Sequence, residues 1–332
     1  VLFVLKTSCF IAEPNTLRLI QLSDFVLKGR HRLYVSDDAQ EDYVTWVRKL
    51  PRDLSEIWRR SLELSMELEA LEPARYTVTV CETAEPILSL SAPVVNVNQA
   101  YRLAREPYKI FVENDDADRD FLLTFSDAQQ KAKIEELERE NLISFEHCGG
   151  ITEIPKKVEN FIKNDPLFIA LCTSVFDSDA PQPHEPSRQA DNLKLILDTN
   201  GVKAFMLERR AIENYLMRSW LNTWANTRPN RASKRQYVTL FNNFCKLSAM
   251  QRKYFHMKRG LSADNKGISD GSIDLYNDVE KSLLEDLEDG FGSNVGSDIF
   301  SESWVQNSQP SEDPEAWEEV NGVVREIMVQ CR

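Results

Sequence analysis

Between Tyr108 and Leu207, apolar runs of strand length alternate with segments whose apolar residues recur at helical spacing. Tyr108–Val112 reads as a strand. Residues 118–139 read as a helix carrying Phe121, Leu122, Phe125, Ile134 and Leu137, and 143–146 as a second strand ended by Gly149 and Gly150. A helix over 154–163 follows. Residues 167–176 are apolar along nearly their whole length, the pattern of a strand buried on both faces. A helix over 191–199, a stop at Gly201 and a strand over 202–207 complete the series. Such alternation predicts an α/β fold, a parallel sheet flanked by helices, whose ligands bind beyond the carboxyl ends of the strands.

The flanking regions carry other patterns. Residues 1–105 mix short β-like runs (1–5, 31–35, 76–81) with one strong helical segment over 54–71, which predicts an N-terminal α+β region of unassigned role. The apolar opening has no basic leader, so it reads as a first strand and not as a signal peptide. From Glu208 the pattern turns helical, and 218–332 reads as a helical extension after a 106–217 core domain. Glycine and serine around 290–297 predict an exposed, partly disordered stretch before a terminal helix over 314–329.

Charge is split along this extension. The chain of 332 residues has 40 Lys and Arg against 53 Asp and Glu, a formal charge of -13, which argues against a surface coated for nucleic acid. Between Phe205 and Gly260, however, twelve Lys and Arg face two Glu, a local charge of +10, with Trp220, Trp224, Tyr237 and Phe241 interleaved. Arg231, Lys234, Arg235 and Arg259 are the candidates there for a phosphate backbone, together with Arg209 and Arg210. After Gly260 the sign reverses, and the acidic tail could fold back on these cations as an autoinhibitor or simply keep the protein soluble. Six dispersed cysteines without a C-x-x-C pair fit a reducing, cytoplasmic setting and build no zinc site. No stretch approaches the roughly 20 apolar residues that cross a bilayer.

Two acidic groups stand at predicted strand ends. Glu113 follows the first strand and is trailed by Asp115, Asp116, Asp118 and Asp120; Asp177 and Asp179 follow the third. Carboxylates at successive strand ends share one crevice, where their repulsion calls for a cation, and Mg²⁺ or Mn²⁺ suits oxygen ligands. The same residues also favour loops and helix N-caps, which the 115–120 run could satisfy unaided.

A strand ending in Glu113, a second ending in the Gly149-Gly150 turn and a third ending in Asp177-Ser-Asp179 resemble a TOPRIM domain. The run Leu207-Glu-Arg-Arg-Ala-Ile-Glu-Asn-Tyr-Leu216 is similar to a stretch of TOPRIM nucleases of the OLD (overcoming-lysogenization-defect) kind and their antiphage-defence relatives. The resemblance covers about 108–216. Asn114 stands where the family usually has Gly, Asp116 competes with Asp118 for the second acidic position, and the 180–186 loop is proline-rich.

The resemblance implies a Rossmann-like TOPRIM sheet and divalent-metal phosphodiester hydrolysis. Glu113, Asp118, Asp177, Asp179 and Glu213 would hold Mg²⁺ or Mn²⁺, and Glu113, Asp177, Asp179 and Lys258 would act on the phosphate. It also implies a nucleic-acid substrate and a partner ATPase or other defence-system subunit, since the chain has no Walker A loop. Glu213 could instead pair with Arg209 or Arg210, and Lys258 and Arg259 could be a solvated helix end. Two competing readings are a catalytically inactive module docked on such an ATPase, and a phosphatase of the haloacid-dehalogenase type using Asp177 and Asp179. The latter motif belongs on a first strand, whereas here it ends the third.

Overall fold

The computed structural model describes residues 1–83, 85–89, 91–262, 274–308 and 311–331. Two four-stranded sheets, every strand pair parallel, organise an α/β protein.

The first sheet has the order β2-β1-β3-β4, from Leu2–Leu5 (β1), Arg32–Val35 (β2), Thr77–Val80 (β3) and Val94–Val95 (β4). This corrects the α+β expectation for the N-terminal region. Parallel neighbours need long crossovers, and helices supply them: Thr16–Leu27 joins β1 to β2, and Arg52–Leu71 lies between β2 and β3. Phe3, Leu5, Val78 and Val80 are buried in this sheet, with Trp58 of the long helix in the same core.

The second sheet has the order β6-β5-β7-β8, from Tyr108–Val112 (β5), Ile143–His147 (β6), Cys172–Phe176 (β7) and Lys203–Met206 (β8). Strand β5 is central and the chain crosses it on the way from β6 to β7, so the strand order reverses between β5 and β7. In parallel sheets a crevice opens at that point, beyond the carboxyl ends. Pairing of Lys109, Ile110 and Phe111 with Cys172, Thr173 and Ser174 brings the two strand ends level.

Two elements differ from their sequence pattern. The helix expected over 118–139 is two, Asp115–Thr124 and Ala128–Arg139, because Asp127 and Gln130 form a capping box that starts the second afresh. The strand expected over 167–176 begins only at Cys172; Pro166–Leu171 is a 3-10 helix capped by Asp165, so burial and not extended pairing explains its apolar run.

The acidic C-terminal part packs into the same core. Phe291, Val295, Ile299 and Phe300 are buried, which corrects the disorder expected around 290–297. The helix Val295–Phe300 lies against Asp115–Thr124, and Phe300 meets Phe121 edge-on at 5.4 Å. The terminal helix Pro314–Gln330 buries Val320, Val324 and Ile327; its Asn321 donates to the Phe125 carbonyl at 3.0 Å, and Tyr108 donates to Gln330 at 2.8 Å. No helix among the described residues is long and apolar enough to cross a membrane.

Candidate active site

Glu113 directly follows β5 and Asp177 directly follows β7, and the Asp177 N–H donates to Glu113 Oε1 at 3.3 Å across the crevice. Asp118, one turn into the first helix after β5, accepts from the Asn114 N–H at 2.8 Å. Asn114 has an extended backbone (φ -135°), so this position does not require a glycine. Asp116 is exposed. Asp179, with φ +48°, is exposed at the mouth, and its N–H donates to the Arg210 carbonyl at 2.8 Å.

The run 207–216 is the frame of this site. Ile212 N–H donates to Asp177 Oδ1 at 3.0 Å, fixing that carboxylate. Asn214, buried, accepts from Ala211 N–H and donates to the carbonyls of Arg252 and Phe255, both at 2.9 Å. That ties the frame to the segment leading into Lys258. Tyr215 donates to Glu319 of the terminal helix at 2.6 Å. Glu213, 4 % exposed, sits in the 3-10 turn Ile212–Tyr215. Its Oε1 pairs with Lys258 Nζ at 3.2 Å, not with Arg209 or Arg210, and its Oε2 is buried with no hydrogen-bond partner among the described residues.

Electrostatics mark the cluster as short of positive charge. Burial, then the charge of Asp179, pushes the Glu113 carboxyl up to about 7. Burial, followed by repulsion from Glu113 and Glu213, outweighs the Asn114 hydrogen bond and takes Asp118 to about 7 as well. Asp177 is raised well above its ordinary range by burial and by Glu113, Glu213 and Asp118. Asp179 is raised by burial, against the pull of Arg210, Lys258 and Arg259. Burial opposes the charge on Lys258, yet Glu213, Asp177 and Glu113 outweigh it and hold the ammonium above its usual range.

Among the described residues no three Asp, Glu, His or Cys side chains stand in a group ready to hold a metal ion. The donor chemistry nevertheless suits a hard divalent cation: the four inner groups, Glu113, Asp118, Asp177 and Glu213, are oxygen donors, burial and mutual repulsion raise the proton affinity of Glu113, Asp118 and Asp177 despite the charge of Lys258, and Glu213 has an orphaned oxygen.

The cations divide differently from the sequence expectation. Arg209, 5 % exposed, pairs with Asp313 at 2.7 Å and lies over the Tyr215 ring at 4.7 Å. Arg210, 9 % exposed, donates to the Tyr254 carbonyl at 3.2 Å. The structure thus places both guanidinium groups, expected as nucleic-acid contacts, in the buried frame with carbonyl and carboxylate partners and not on the surface. Arg231, Lys234 and Arg235 are exposed on the helix Arg231–Phe244, and Arg259 is exposed near Asp179. A groove of about 880 Å³ runs between Arg231 and Arg235 on that helix and the segment holding Asp286, Asp289 and Gly290. Trp220 and Trp224 are buried and do not line it. The tail does meet basic residues, through Asp298 with Arg228 and, at the surface, Glu315 with Lys253.

Three glycines escape sequence reasoning because their partners are remote in the chain. A Cβ on Gly260 would lie 2.4 Å from the Glu288 carbonyl oxygen, and one on Gly290 would lie 2.5 Å from the backbone between Lys258 and Gly260. On Gly296 it would lie 2.7 Å from Glu213 Oε1. Gly296→Ala is therefore expected to push the Glu213 carboxylate off Lys258 and lower activity at least about 10-fold, with a thermal midpoint within a few degrees of the parent. Unchanged kinetics in the folded variant would remove Glu213 from the site.

Comparison of the chain with protein-family models, curated proteins and solved structures finds no match.

Proposed function

We propose that the protein is a metal-dependent nuclease of the TOPRIM type, hydrolysing phosphodiester bonds at the crevice between β5 and β7. The observation that carries this reading is the meeting of Glu113 and Asp177 at the strand-order reversal of a parallel sheet, with Asp118 and the Lys258-paired Glu213 within electrostatic reach of both. Glu113, Asp118, Asp177 and Glu213 would hold Mg²⁺ or Mn²⁺, with Asp179 at the mouth. When bound, the ion polarises the phosphate and lowers the pKa of a water.

The chain's own groups supply the rest. Ile212 N–H keeps Asp177 turned into the crevice, and Lys258 offers a cation to a phosphate oxygen. Glu113, at the carboxyl end of β5, is the carboxylate to take the proton of an attacking water. Arg231, Lys234, Arg235 and Arg259 hold the flanking backbone. The similarity of the 207–216 run to antiphage TOPRIM nucleases supports a role as a defence effector acting beside a partner ATPase.

Purified protein incubated with supercoiled plasmid, and separately with tRNA, tests the reading in Mg²⁺, Mn²⁺ and EDTA. Nicking or cleavage in metal and none in EDTA is expected. Absence of cleavage in every condition, by protein shown to be folded, would reject it. Changing Arg231, Lys234 and Arg235 together to Glu is expected to weaken nucleic-acid binding for every sequence and to flatten its salt dependence by roughly one unit of slope per lost contact. Fluorescence anisotropy over a salt series measures both, and an unaltered slope would move the contact surface off this helix.

A further inference from the structure

The inner carboxylates Glu113, Asp118, Asp177 and Glu213 share one neighbouring cation, Lys258. Lys258 pairs with Glu213 at 3.2 Å and is within electrostatic reach of Glu113, Asp118, Asp177 and Asp179. Arg210 and Arg259 act on Asp179, at the mouth.

The lysine's backbone and its head group are held very differently. Phe291 N–H donates to the Met257 carbonyl at 2.6 Å and Gly292 N–H to that of Lys258 at 3.1 Å. Leu261 and Ser262 bond to Leu287 and Glu288, and Gly260 and Gly290 bring the two backbones into direct contact. The Lys258 side chain, by contrast, is 40 % exposed, while that of its partner Glu213 is 4 % exposed. A long flexible stem on a clamped backbone lets the ammonium leave the cluster with no change in the loop that carries it.

We infer that Lys258 is a built-in counter-ion, holding the inner carboxylates together in the metal-free protein and displaced from Glu213 when a divalent cation enters. The inference rests on the reading of these carboxylates as metal ligands. It accounts for the Glu213 carboxylate, of which one oxygen pairs with the lysine while the other is buried without a hydrogen-bond partner among the described residues. A single charge on a movable stem neutralises the cluster incompletely, and a double charge coordinated by several oxygens does so better. Displacement frees the ammonium, still anchored at the crevice, to meet a phosphate oxygen, so metal entry and the arming of Lys258 become one event.

Isothermal titration of Mn²⁺ into the full chain and into Lys258→Met and Lys258→Gln, with thermal melts of each in EDTA and in Mn²⁺, tests this. Loss of the competing cation should tighten Mn²⁺ binding at least about 10-fold, lower the melting point in EDTA and restore it in Mn²⁺. In the unaltered protein, with lysine side chains ¹³C-labelled, Mg²⁺ should shift the Lys258 Cε resonance and mobilise it; this readout does not depend on a variant folding. Equal Mn²⁺ affinity in parent and variants, or a Lys258 resonance indifferent to Mg²⁺ at saturation, overturns the counter-ion role while leaving a nuclease reading intact. Mn²⁺ binding by neither parent nor variants overturns both. Binding by the variants alone supports the counter-ion role in its strongest form, an ammonium that outcompetes the metal.

Discussion

Glu113→Gln and Asp177→Asn are each expected to lower metal-dependent cleavage on the order of 10³-fold, about 4 kcal/mol of transition-state stabilisation, without destabilising the metal-free protein. Each substitution keeps the side chain's shape and an oxygen acceptor. Glu113 can therefore still receive the Asp177 N–H, and Asp177 that of Ile212. What is lost is one negative charge from a cluster in which burial and mutual repulsion already raise the proton affinity of Glu113, Asp118 and Asp177. In EDTA near pH 8 that charge is a cost to the folded state, so the melting point should stay level or rise. Cleavage assays over a Mn²⁺ series and melts in EDTA give the two readouts. Full activity in either variant removes that carboxylate from the site. A fall in both activity and EDTA melting point assigns it to the scaffold instead.

What a sequence reveals of such a site follows from how local each constraint is. Glu113 and Asp177 are legible because each follows an apolar strand run directly, with Asp179 two residues further on, and adjacent parallel strands bring their carboxyl ends together. The second sheet is legible for the same reason. The first sheet is not: β4 is two residues long, and the helix Arg52–Leu71 shows its amphipathic pattern without revealing that it carries the chain to a parallel neighbour.

Charge is the least legible property. Arg209 and Arg210 look like surface cations in a basic stretch, yet their fate is decided by Asp313 and the Tyr254 carbonyl, which lie about a hundred and about forty residues downstream. The contact between Lys258 and Glu213 depends on Gly260, Gly290 and Gly296. A glycine in a Gly/Ser-rich segment reads as flexibility; only its neighbours in space show that it is there to admit a backbone or a carboxylate.

Ending the chain at Ser262 should abolish cooperative folding, and it should not produce a tighter nucleic-acid binder. A removable autoinhibitory tail would contact the basic residues through exposed charges and leave the core behind when cut away. Here the acidic part also contributes Phe291, Val295, Ile299, Phe300, Val320, Val324, Ile327 and Met328 to the buried core. Each such side chain contributes roughly 1.5–3 kcal/mol by burial, whereas a whole domain is stable by only about 5–15 kcal/mol. Removal also strips Asp313 from buried Arg209, Glu319 from Tyr215 and Gln330 from Tyr108, so that each of these buried donors loses an acceptor. Circular dichroism melts and size-exclusion chromatography of the truncated chain should show no sharp transition and an expanded or aggregated species. A compact, cooperatively melting fragment that binds nucleic acid more tightly at low salt would reverse the assignment, making the tail a separable electrostatic cover. The charged contacts alone can be tested in the intact chain with Glu315→Gln. Glu315 is largely exposed and pairs with Lys253, so this change should leave both folding and nucleic-acid affinity nearly unchanged, as expected of a surface ion pair.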